Sequence, residues 1–205
     1  MEMRNAVSEC MKDRLKNVIG GYDWTSIKDG EYTYYFMNGT MFNSTFGKTN
    51  NYKTSYVREK LLASDLLANL KEHFGDKLVP IKLDLTSLDG FKDYGKLEED
   101  LLSIPNIELL MKFGNEIPLV DRSCWLATPN QTPTRGDAAC VECVRSGGVV
   151  GYNFCCWNVM GVRPFWIGRR KKVGETPKLE PRYQKNRQPF LSRKRCDKYK
   201  GMQYY

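Results

Sequence analysis

The sequence predicts a mixed α+β domain of short antiparallel strands with helices set against them, followed by a basic extension. Three observations carry this expectation. Apolar residues recur at helical spacing from Val57 to Phe74 and again after Pro105. The stretch from 123 to 168 is dense in Trp, Gly, Pro and Cys and has no helical period, as short strands joined by irregular loops require. Residues 168–205 hold 13 Lys and Arg against 3 Asp and Glu, and the preceding residues hold the remaining 19 and 21. The extension therefore contributes +10 and the body −2 to a net charge of +8, so the basic character belongs to one segment and not to the fold. The 205 residues are 41% hydrophobic, and no apolar run approaches the roughly 20 residues of a bilayer span; membrane insertion is not expected. The start, MEMRNAVSECMKDRL, alternates charged and apolar residues where a secretion signal needs an apolar core, which predicts a cytoplasmic protein. The organisation reads as strands and a hairpin over 1–50, a main body over 51–167 and the extension over 168–205.

In chain order, residues 11–19 form a short helix stopped by Gly20-Gly21. EYTYYFMNGTMFNSTF (31–46) places Asn38-Gly39 between two strand-like runs, the strongest short-range hairpin signal. One helix then runs from a cap at Thr54 or Ser55 to Gly75, with Val57, Leu61, Leu62, Leu66, Leu67, Leu70 and Phe74 as its core stripe. His73, the sole histidine, lies near its end, where a positive charge suits the helix dipole. Residues 81–85 alternate as a half-buried strand entered through Pro80, and 89–95 is a loop. A further helix follows Pro105 and ends at Gly114. Glu98, Glu99 and Asp100, being consecutive, face different directions and read as a solvated first turn, not as an acid/base pair. Residues 140–145 and 149 onward form a hairpin around Ser146-Gly147-Gly148.

Seven cysteines, an odd number, argue against a disulfide framework. Cys140 and Cys143 with adjacent Cys155-Cys156 depart from zinc spacing, since neighbours on a strand point to opposite faces. No metal or other cofactor is expected. The chain lacks a phosphate-binding glycine loop and a nucleophile–base pair, so no catalytic residues are assigned. RGD at 135–137 reads as a turn.

LLSIPNIE (101–108), CWLATP (124–129), VECVRSGGVV (141–150) and GVRPFWI (161–167), preceded by TSYVREKL (54–61), resemble in order the motifs of a family of uncharacterised bacterial and phage proteins. That family is similar to C-type-lectin-like domains of the formylglycine-generating-enzyme type, including the variable proteins of diversity-generating retroelements. The resemblance implies a scaffold of short twisted antiparallel strands with two flanking helices, of phage or bacterial mobile-element origin, with a virion-associated location as an alternative. It also implies a ligand surface just before the terminal strand, here Gly151–Met160. Ala127-Thr128 stands where the family has Arg-Ser. Related enzymes use a metal-bound cysteine pair, but theirs is separated by several residues, unlike Cys155-Cys156, so enzymatic activity is not expected.

The residues themselves point the same way. Tyr152, Phe154 and Trp157 are large, stiff side chains that make contact area at small entropic cost, and Asn153 and Asn158 add adaptable hydrogen bonds. The competing reading places Phe154, Trp157 and Val159 inward as core. Trp125 is expected as a core anchor with its N–H bonded to backbone. Arg163 should brace loop carbonyls and Pro164 should sit at a bend. A second function follows from the extension, where Arg169, Arg170, Lys171, Lys172, Arg193, Lys194 and Arg195 interleave with aromatics. Such a segment attracts phosphates and stacks on bases, so nucleic acid is the alternative to a protein or surface ligand.

Overall fold

The computed structural model describes residues 21–170. The expected helix at 11–19 and Lys171, Lys172, Arg193, Lys194 and Arg195 lie outside the described residues. The described fold is mixed α+β, with three sheets and three α-helices. The first sheet joins β1 (Trp24–Asp29), β2 (Tyr32–Met37) and β10 (Phe165–Arg169) in the order β1-β2-β10, antiparallel throughout. The second contains β3 (Phe42–Ser44), β6 (Cys124–Pro129), β7 (Cys140–Val144), β8 (Val150–Phe154) and β9 (Met160–Val162), in the order β3-β9-β6-β7-β8. Its single parallel contact is β6 with β9. A separate two-stranded ribbon pairs β4 (Ile81–Asp84) with β5 (Lys96–Asp100). The helices are α1 (Tyr56–Leu62), α2 (Asp65–Phe74) and α3 (Ile107–Phe113). None of the described helices is long and apolar enough to cross a membrane.

Aromatic residues from distant parts of the chain form the core. Phe36, Phe46, Tyr52, Trp125, Phe165 and Trp166 are fully buried, and such side chains dominate burial because each removes a large apolar area from water. Trp166 lies flat on Tyr35, with centroids 3.9 Å apart. Trp125 donates its indole N–H to Ser44 O at 2.9 Å, bringing β3 close to β6. Arg163 donates to Met37 O at 2.5 Å and Pro118 O at 2.8 Å, bracing two loop carbonyls. Pro164 bends the chain from β9 in one sheet to β10 in the other, and its carbonyl accepts from Met37 N–H.

Four local expectations need correction. Asn38-Gly39 is not a hairpin turn. The β1–β2 hairpin turns at Gly30-Glu31, with Gly30 at φ +57°, the first-position glycine of a type II′ turn. Asn38 instead closes the open end of that hairpin: its N–H donates to Asp23 O and its Oδ1 accepts from Thr25 Oγ1 at 2.6 Å. The single helix from 55 to 74 is two, because Ser64 accepts from Leu67 N–H and starts α2 afresh. Ser55, one of the two expected cap residues, accepts from Arg58 N–H and caps α1. Residues 98–100 are strand, not helix. Asp100 is buried and takes a two-pronged contact from Arg58, with both N···O distances 2.8 Å. Three helices flank the sheets, one more than the resemblance implied.

Candidate functional site

The site forms where the β7–β8 hairpin reaches the edge of the five-stranded sheet. The five-residue connection is held by Arg145 N–H to Val149 O and Gly148 N–H to Arg145 O, both 2.8 Å. Gly148 has φ +81°, and a Cβ there would meet Leu119 Cδ2 at 2.8 Å, so glycine serves both the turn and the close approach of the 117–120 loop.

Along β8 the side chains alternate between exposed and partly covered. Val150, Tyr152 and Phe154 share one exposed face, while Gly151 and Asn153 lie on the other. Tyr152 is 56% exposed, Phe154 45% and Trp157 77%. Phe154 and Trp157 lean together with centroids 5.1 Å apart at 38°. This pair is fixed from behind. Cys155 is fully buried, donates its N–H to Ala139 O at 2.7 Å and accepts from Phe46 and Gly47. Phe154 O accepts from Asn158 N–H at 3.3 Å, closing the turn that lifts Trp157 outward. The rings are therefore carried on a pinned backbone.

Of the expected contact residues, Tyr152, Phe154 and Trp157 come together on the exposed side. Asn153 does not join them: its amide nitrogen lies 3.9 Å from both Cys143 Sγ and Met160 Sδ. Alternation along the strand compels this, because 153 has the opposite parity to 152 and 154. Asn158 is half-buried, and its backbone forms the turn. Arg169 and Arg170 are exposed at the end of β10. Arg169 still pairs with Tyr32 and Arg170 N–H donates to Glu31 O, so the sheet continues past the expected boundary at 168.

Sequence reasoning missed Glu142. It stands opposite Tyr152 in the ladder yet is only 1% exposed, and its Oε1 accepts from Asn130 Nδ2 at 2.7 Å. Burial pushes its carboxyl above the ordinary glutamate value. It also missed an apolar cavity of about 610 Å³ adjoining this face, walled by Leu110, Ile117, Leu119, Leu126, Val144 and Val150 with Arg163. A glutamate in an alternating strand gives no burial signal, and the cavity wall is assembled from segments far apart in sequence.

The adjacent cysteines diverge. Cys155 is buried, its thiol pushed up to about 11 by burial, whereas Cys156 is exposed. Among the described residues no three His, Cys, Asp or Glu side chains converge as a metal site. His73 is exposed on the last turn of α2, with Nδ1 2.9 Å from Asn69 O. Gly136 of the RGD triplet takes a left-handed conformation closing a short 3-10 turn. Comparison with family models, with curated proteins and with solved structures finds no match.

Proposed function

We propose that this is a non-enzymatic binding protein of phage or bacterial mobile-element origin. In this reading a C-type-lectin-like scaffold of the variable-protein type presents residues 151–160 to a protein or surface ligand. The observation that carries the reading is the joint exposure of Tyr152, Phe154 and Trp157 on a pinned strand and turn. Exposed large aromatics next to an apolar cavity are the composition of a recognition surface, not of an idle one. The ordered GVRP crossover and the short strands of two sheets support the scaffold assignment.

Two measurements test it. Sequencing the gene across independent isolates should find substitutions concentrated in the codons for 151–160; an even spread along the gene rejects the diversified surface. A glycan and bacterial-surface-protein array probed with the wild type and with a Tyr152→Ala, Phe154→Ala, Trp157→Ala triple variant should yield a ligand lost by at least about 100-fold in the variant, about 2.7 kcal/mol. Equal retention by a folded variant rejects the site.

The charge segregation favours a second reading, in which the 168–205 segment holds nucleic acid through salt-sensitive phosphate contacts. Its test is retention on heparin or single-stranded DNA before and after removal of residues 171–205.

A further inference from the structure

Each sheet edge among the described residues is guarded except one. β1 carries Lys28 and Asp29 on the outer edge of the first sheet. The opposite edge, β10, is covered: Leu78 bridges Gly168, Ser103 bridges Phe165, and Val79 N–H donates to Ile167 O. β3 is three residues long, and Lys60 Nζ bonds Ser44 Oγ at 3.0 Å beside the Phe42 ring. β4 and β5 carry Lys82, Lys96, Glu98 and Glu99. β8, Val-Gly-Tyr-Asn-Phe, has five residues, no charge, no proline and no register shift against β7. It lacks the devices by which proteins keep an open edge from pairing.

The hydrogen-bond phase of that edge can be read from its flanks. Arg145 N–H donates to Val149 O at one end of the hairpin, and Cys155 N–H donates to Ala139 O at the other. Both pairs continue the register Cys140↔Phe154 to Val144↔Val150. In an antiparallel ladder bonded and non-bonded pairs alternate, so Gly151 and Asn153 bond to β7. Val150, Tyr152 and Phe154 then turn their N–H and C=O groups outward. Phe154 O is indeed outward, since it accepts from Asn158 on the loop side. No other group among the described residues bonds to the backbone of Val150 or Tyr152 on that side.

We infer that β8 pairs with β8 of a second copy of this chain, antiparallel about a twofold axis at Tyr152. That register is self-complementary. Tyr152 opposes its own copy, each donating N–H to the other's C=O, and Val150 opposes Phe154. Aromatic and β-branched pairs of this kind stabilise a ladder. β8 itself carries no charge, and the nearest cation, Arg145, lies on the opposite face, where a Cβ on Gly151 would meet its Nε at 3.1 Å. Two five-stranded sheets become one, and the exposed faces of both copies, with both Phe154–Trp157 pairs, lie side by side for two-point attachment. The inference does not rest on the recognition reading: pairing needs the backbone edge of β8, Tyr152 and Phe154 belong to both surfaces, and Trp157 belongs to recognition alone. A five-residue edge is a small interface, and a dissociation constant of about 1–100 μM is expected.

The test is the mass of the full chain in solution by sedimentation equilibrium, at concentrations up to about 200 μM, which spans that affinity range. The expected species has twice the 23.7 kDa chain mass. Tyr152→Pro removes the N–H at the dyad, a group the fold does not use, and proline is tolerated on an edge when its missing N–H faces outward. It should weaken self-association at least tenfold, about 1.4 kcal/mol, with unchanged far-ultraviolet circular dichroism, whereas Trp157→Ala should leave it unchanged. Should Tyr152→Pro fail to fold, cysteine pairing reads the register directly. In a Cys156→Ser background, Tyr152→Cys should form an intermolecular disulfide with diamide at least ten times faster than Val150→Cys, which opposes Phe154 and not itself. A monomer throughout the range, dimerisation by folded Tyr152→Pro at wild-type strength, or equal cross-linking at 150 and 152 overturns the inference. Loss of ligand binding in Trp157→Ala with the dimer intact bears on recognition alone.

Discussion

Glu142 shows how one residue acquires a role that its neighbours in sequence do not announce. Its carboxyl is on the same face of the sheet as its ladder partner Tyr152, held by Asn130, and burial keeps its pKa above the ordinary 4.5. The folded chain therefore binds that proton more tightly than the unfolded chain. The resulting stabilisation is complete below pH 4.5 and is lost as pH rises through the folded value. Glu142→Gln keeps an acceptor for Asn130 and carries no charge. It is expected to give no gain in melting temperature at pH 4 and a gain that grows as pH rises through the folded value, measured by calorimetry across pH 4–9. Asn50 is another residue whose role appears only in three dimensions. Fully buried, it donates to Gln131 O and Cys140 O and accepts from Tyr94 Oη, anchoring the loop that leads into β7. Trp125 and Arg163 were legible beforehand, since a lone indole in an apolar strand and an arginine beside proline each have few ways to satisfy their donors.

Among elements, those defined by local chemistry were read correctly and those defined by competition were not. α3 begins after Pro105 with Asn106 as cap and ends at Gly114, as proline and glycine punctuation dictates. The β7–β8 hairpin likewise follows its glycine turn. The first hairpin was misread because two candidate turns compete, and a type II′ turn at Gly30 won over Asn38-Gly39. The two glycines separate the cases experimentally. Gly30→Ala forces a side chain into φ +57° and should cost about 1 kcal/mol, roughly 2–4 °C of melting temperature in a chain of this size. Gly39 has no positive φ and open space around an added Cβ, so Gly39→Ala should shift the midpoint by less than about 1 °C. The division of the 55–74 stripe at Ser64 escaped periodicity because Leu61, Leu66, Leu67 and Leu70 are all buried on both sides of the break. Leu62 of that stripe is exposed and the others are buried or half-buried, so the stripe records burial only in part and continuity not at all.

At the scale of the molecule, the sheet reaches past the boundary that charge alone suggests. A chain ending at Arg170 keeps the Arg169 pairing with Tyr32 and the Arg170 bond to Glu31, and should melt within about 2 °C of the full chain. One ending at Gly168 loses both and should melt measurably lower in the same scan. The amino-acid sequence by itself determined the mixed class, the position of α3, the second hairpin, the anchoring parts of Trp125 and Arg163, and the segregation of positive charge toward the C-terminus. These follow from composition, spacing and the needs of single side chains, all properties of contiguous residues. Tertiary structure alone decided which face of 150–154 meets solvent, which hairpin forms first in the chain, and that β8 lies at the rim. Strand order and edge position depend on pairings between segments far apart in the chain, such as β9 beside β6 and β10 beside β2. Local periodicity carries no record of those pairings.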